Sequence, residues 1–197
     1  MEGTPAITGL DLNVRLSDYN LQDFGIPAPN NVQYSGRTDF VGRITGAPTA
    51  PTVTGNVGLK QFVLNGVAFE PLLQGRLRYA QQGINLDLRG QRDRIAATLD
   101  SRNRPIAFEI RRGDAFAQGR TQGGLLLTEV RNFPLALAKV AGIPVQFAPG
   151  GTLNGNLAIN LDRGTAAGEL AIANHRWEAI GLIGLGDGLA LRMARRP

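Results

Sequence analysis

Cysteine is absent from this chain of 197 residues, histidine occurs once, and lysine only as Lys60 and Lys139. Without thiols there are no disulfides, no thiol nucleophiles and no zinc–thiolate centre. His175 alone cannot assemble a metal site, so neither a metal nor a cofactor is expected. Aromatic residues make up 6% of the chain, too few for the girdles of an outer-membrane barrel. No apolar run approaches the roughly 20 residues that cross a bilayer. The start, MEGTPAITG, lacks the basic and then apolar pattern of a signal peptide. The expectation is a single β-rich domain, 1–197, a fragment of a longer chain whose targeting segment lies elsewhere.

What is abundant is glycine, at 26 residues, with 11 prolines, a balance that suits a turn-rich all-β protein. The net charge of +5 comes almost entirely from arginine. Between positions 87 and 114, however, arginines alternate with Asp87, Asp93, Asp100 and Asp114. Charges mixed in this way neutralise one another locally and do not form a nucleic-acid track.

The clearest pattern runs from Thr152 to Ala173. Leu153, Gly155, Leu157, Ile159 and Leu161 alternate with Asn154, Asn156, Asn160 and Asp162, a strand with one face out of water. After a turn at Arg163–Thr165, Leu170 and Ile172 resume the alternation. The same device recurs along the chain. Leu10 to Leu16 open it, and Val57 and Leu59 follow. Leu73, Leu77 and Tyr79 share a face, as do Ile84, Leu86 and Leu88. Ile95 with Leu99, and then Ile106, Phe108 and Ile110, complete the series. Thr52, Gly55 and Asn56 recur one hundred positions later as Thr152, Gly155 and Asn156, which suggests one unit used twice. Residues 17–38, with two prolines and little period, read as a loop. Residues 134–141 read as a short helix, capped by Asn132 and stopped by Gly142.

No catalytic constellation is present. The serines at 17, 35 and 101 lack a nucleophile-elbow context, and His175 has no evident partners. The GLGDG at 184–188 lacks the strand–turn–helix setting and the Lys-Ser/Thr tail of a phosphate loop. The carboxylates show no glycosidase spacing. The expectation is a protein that is not an enzyme.

The run from Gly42 to Phe69, ITG-APTAPTVTGNVGLKQFVLNGVAF after its first two residues, resembles a pattern of the TamB family: a strand ending in glycine, a proline, then a G-x-hydrophobic strand. Arg163–Gly181 resembles the strand–turn–strand unit of cyanobacterial members, with His175 where members carry proline. Leu125–Gly142 is similar to the recurrent break at which Asn-Phe-Pro introduces a short helix. The resemblance implies an all-β, elongated and curled (taco-like) antiparallel or mixed sheet with an apolar inner groove. It implies a periplasmic, cell-envelope location, with an inner-membrane anchor supplied by a segment outside this chain. It implies phospholipid acyl chains or unfolded outer-membrane protein strands as cargo and an Omp85-type barrel as partner, with no nucleic acid. The groove-lining residues would be those of the alternating faces named above, from Val57 to Ile172. A structural β-solenoid or adhesin segment with a closed core is the alternative, and a carbohydrate-active β enzyme would need a carboxylate pair converging in a cleft.

Overall fold

The computed structural model of the protein describes residues 8–24, 33–138, 151–173 and 189–193, the last as backbone. They form one open sheet with a single short helix, the all-β architecture read from the sequence. The strands are β1 (Leu10–Asn20), β2 (Tyr34–Ala47), β3 (Ala50–Leu64), β4 (Val67–Ala68), β5 (Leu72–Ala80), β6 (Gly83–Arg89) and β7 (Arg94–Asp100). They continue as β8 (Pro105–Arg112), β9 (Ala115–Gln122), β10 (Leu125–Pro134), β11 (Thr152–Asn160), β12 (Thr165–Ala173) and β13 (Leu189–Met193). Each strand pairs with its predecessor in sequence, except that β4 forms only a short hairpin on β3 and β5 takes the next place. All pairings are antiparallel but the last, where β13 runs parallel to β12.

Turn chemistry explains the meander. Asn65 and Gly66, both at positive φ, make the tight turn between β3 and β4, a conformation that Asn-Gly adopts at little cost. Both members of the β3 and β11 sequence repeat are strands, and each places its glycine on the apolar face. On that face the Phe108 ring lies over Gly119, where any Cβ would collide with it.

The sheet curls. Asn65 and Ala136 stand six strand positions apart along the sheet, roughly 29 Å if it were flat. Yet Asn65 Nδ2 donates to the Ala136 carbonyl at 3.2 Å. Arg104 and Asp162, four positions apart, form an ion pair at 3.1 Å. Leu59 and Leu73 on one side therefore join Val130, Leu153 and Leu170 on the other in a single buried cluster.

Two sequence readings need correction. The segment 17–38 is strand at both ends: Ser17–Asn20 belongs to β1 and Tyr34–Thr38 to β2, with a 3₁₀ turn at Leu21–Phe24. The prolines there hid the alternation on either side; residues 25–32 lie outside the described residues. Among the described residues the helix α1 comprises Leu135–Ala138, and Asn132 is no helix cap. Asn132 sits at a bulge in β10, at positive φ, where its N–H donates to Asn154 Oδ1 at 2.9 Å. The proposed helix positions 139–141 and stop at Gly142 lie outside the described residues, as do His175 and the 184–188 loop.

Leu153 is fully buried where β11, β12 and α1 meet. Leu153→Ala is expected to cost about 2–5 kcal/mol, read as a lower urea midpoint with an unchanged slope.

Candidate functional site

In register, directly paired residues present their side chains to the same face. The pairings place Val57, Leu59, Leu73, Leu77, Tyr79, Ile84, Leu86 and Leu88 on one face, with Ile95 and Leu99. Alternation carries that face to Ile106, Phe108 and Ile110, and register carries it on to Leu153, Leu157, Ile159, Leu170 and Ile172. Leu161 falls beyond the end of β11, in the turn, so it stands outside this set. A register shift at Thr98/Leu99 pairs Leu99 with Pro105 and leaves Ile106 without a direct partner, 45% exposed.

Burial divides this face into two ends. At one, Leu73, Leu88, Leu153 and Leu170 are 2% exposed or less, covered by Leu135, Leu137 and Ala138 of α1 and by Leu64 and Phe69 of the β3–β4 hairpin. Asn65 ties the hairpin down: besides Ala136, its side chain accepts from Gln33 N–H, and its own N–H donates to the Gln33 carbonyl. At the other end runs an uninterrupted cross-strand row, Leu12–Ile44–Val53–Tyr79–Ile84–Leu99. Leu12 is 50% and Tyr79 42% exposed. The sequence pattern identified the face but not this division, because which end is covered depends on contacts far apart in the chain. Thr128, between Gly119 and Leu157 on the same face, is buried with its hydroxyl unpartnered among the described residues.

The opposite, polar face holds a feature absent from the sequence reading. Across β6–β12 it forms an open trough of about 900 Å³, floored by Ala96, Ala107, Ala158 and Ala167 and flanked by Asp87, Arg94, Glu109, Arg120, Glu129 and Asn156. Carboxylates do converge here, but each is met by guanidinium. Arg94 bridges Asp87 and Glu109, Arg89 pairs with Asp87, and Arg131 with Glu129. Glu109 Oε1 lies 3.2 Å from Arg111 without hydrogen-bond alignment. Gln118 donates to Glu129 at 2.9 Å. Among the described residues no group of three or more His, Cys, Asp or Glu is placed to hold a metal ion.

Hydrogen bonds from Arg89, then from Arg94, bring the Asp87 carboxyl down from 3.8 to about 2. The Arg43 guanidinium similarly lowers Asp11, and Lys60 lowers Asp39. A depressed carboxyl stabilises the fold above its unfolded value and loses that contribution as pH falls through its folded value. Asp87→Asn should therefore be less stable than the parent at pH 7, by about 1 kcal/mol or less given solvent screening. Thermal melts from pH 7 to 2 should show that difference closing between about pH 4 and about pH 2.

No family model matches the chain, and no solved structure matches it. The chain is similar to Protein TIC236, chloroplastic, of Arabidopsis thaliana, at 23% identity over 213 residues. That alignment covers 88% of this chain and 9% of the relative, so the chain spans under a tenth of that protein's length. The similarity links this β meander distantly to a much larger chloroplastic protein.

Proposed function

We propose that this chain is a non-enzymatic β-groove module of a TamB-like envelope protein, sheltering phospholipid acyl chains or unfolded outer-membrane protein strands between two membranes. An Omp85-type barrel would be its partner, and an inner-membrane anchor would come from outside this segment. The reading is carried by the apolar row Leu12–Ile44–Val53–Tyr79–Ile84–Leu99, exposed at Leu12 and Tyr79 and half-buried elsewhere, a surface that a protein in water covers with a ligand or another chain. The similarity to a much larger chloroplastic protein supports the reading of this chain as one module of a long protein.

The physical task is clear. An acyl chain of sixteen carbons in water costs on the order of 13 kcal/mol, at about 0.8 kcal/mol per CH₂. A row of aliphatic side chains removes much of that cost. An amphipathic strand would fit the same surface through its own alternating face. One observation favours a second reading, a structural segment without cargo: the fully buried leucines and α1 close the other end as an ordinary core.

Native mass spectrometry with lipid extraction separates the two. Tyr79→Arg and Leu12→Arg alter exposed positions and should leave the circular dichroism unchanged. The cargo reading expects co-purifying phospholipid that falls at least about tenfold in both variants. If the parent carries no lipid and no unfolded barrel strand competes for the surface, the structural reading takes first place. Leu157→Arg is no substitute, because Leu157 is buried and its replacement would unfold the sheet.

A further inference from the structure

The polar face of β1–β6 carries an unbalanced charge. Those strands contain seven basic residues against four acidic ones, an excess of three. Every carboxylate is engaged: Asp11 with Arg43, Asp18 with Arg37, Asp39 with Lys60, and Asp87 with Arg89 and Arg94. Arg15, Arg76 and Arg78 are left exposed with no ion pair or hydrogen bond among the described residues. Asp87 stands directly across from Arg76 yet turns to the other two arginines.

The register brings the three together. Arg15, Val41, Asn56 and Arg76 form one cross-strand row, and Thr54, Arg78 and Asn85 the adjacent one. Arg76 and Arg78, two residues apart on one face, are about 7 Å apart, so both guanidiniums can reach one phosphate with amide donors beside them. Arg15 lies roughly 14 Å away across three strand spacings, too far to share that phosphate. Val41, 47% exposed, stands between them. Fixed cations spread over a sheet face, with an apolar side chain among them and no aromatic platform for bases, match an array of phosphates at an interface better than one soluble anion or a nucleic acid.

We propose that the polar face of β1–β5 is a docking surface for an anionic lipid bilayer, with Arg15, Arg76 and Arg78 meeting headgroup phosphates. This surface lies on the opposite side of the sheet from the apolar row and does not depend on cargo binding there.

Vesicle co-sedimentation tests it, using phosphatidylcholine alone and phosphatidylcholine mixed with phosphatidylglycerol. The expected result is binding to the anionic vesicles only, weakening as salt rises. Each arginine removed should lower partitioning on the order of fivefold, so Arg76→Gln/Arg78→Gln should lose roughly 25-fold. Arg15→Gln, on a different strand, should lose about one such step and guards against a folding defect in the double variant. Arg120→Gln removes an arginine that is unpaired among the described residues, on the distant half of the same face, and should bind like the parent. Equal binding to neutral vesicles, no effect of the double variant, or an equal loss with Arg120→Gln would overturn the proposal. So would binding to inorganic phosphate or duplex DNA without binding to vesicles, which would reassign the patch to a soluble anion or a nucleic acid.

Discussion

A single sheet with one apolar face cannot leave that face in water, and this requirement organises the whole molecule. No second layer exists among the described residues beyond one turn of helix and a short hairpin. The sheet must therefore cover itself. It does so at one end by curling until the β3–β4 turn meets α1, with Asn65 as the hydrogen-bonded clasp. Glycines on the apolar face permit the close approach, as at Gly75, where a Cβ would run into the Asp87 carbonyl. Covering stops short of the opposite end, and the functional reading grows from that incompleteness.

The polar face solves a different problem. Arg89, Arg94 and Arg111 follow one another across adjacent strands, and like charges directly opposite are unfavourable in a sheet. The next row supplies Asp87 and Glu109: Arg94 reaches both across the strands, while Arg89 and Arg111 each meet the acid two residues back on their own strand. On β1 and β5 that stitching has no acid left for Arg15, Arg76 and Arg78. The same composition thus meets each trough carboxylate with a guanidinium on one half of the face and leaves a cluster of three uncompensated arginines on the other.

Much of this was legible in the sequence. Period-two runs such as Ile84, Leu86 and Leu88 against Asn85 and Asp87 encode a strand and its inner face locally, because alternation is a property of the backbone. Asn132 misled because asparagine suits a positive-φ β-bulge as readily as it caps the start of a helix with its side-chain oxygen. The curl was implied by the family resemblance and not by the alternation itself, since it rests on meetings such as Asn65 with Ala136, separated by seventy-one residues. The split of the apolar face into a covered and an exposed end follows from those distant meetings and was hidden with them. The trough was not legible, because its alanine floor is assembled from separate strands and looks ordinary in any one of them.

The order of the strands in space is almost the order of the strands in the chain. Pairing partners are therefore near in sequence, and the loop that must close before each new strand docks is short. Such a sheet can grow by accretion: a strand emerging from a ribosome or a translocation pore finds its neighbour already in place and needs nothing still to come. Only the clasp between the hairpin and α1 must wait, until the tenth strand has passed. Assembly would then resemble zipping followed by one late closure, with the outermost strands the first to fray when the chain is pulled or warmed.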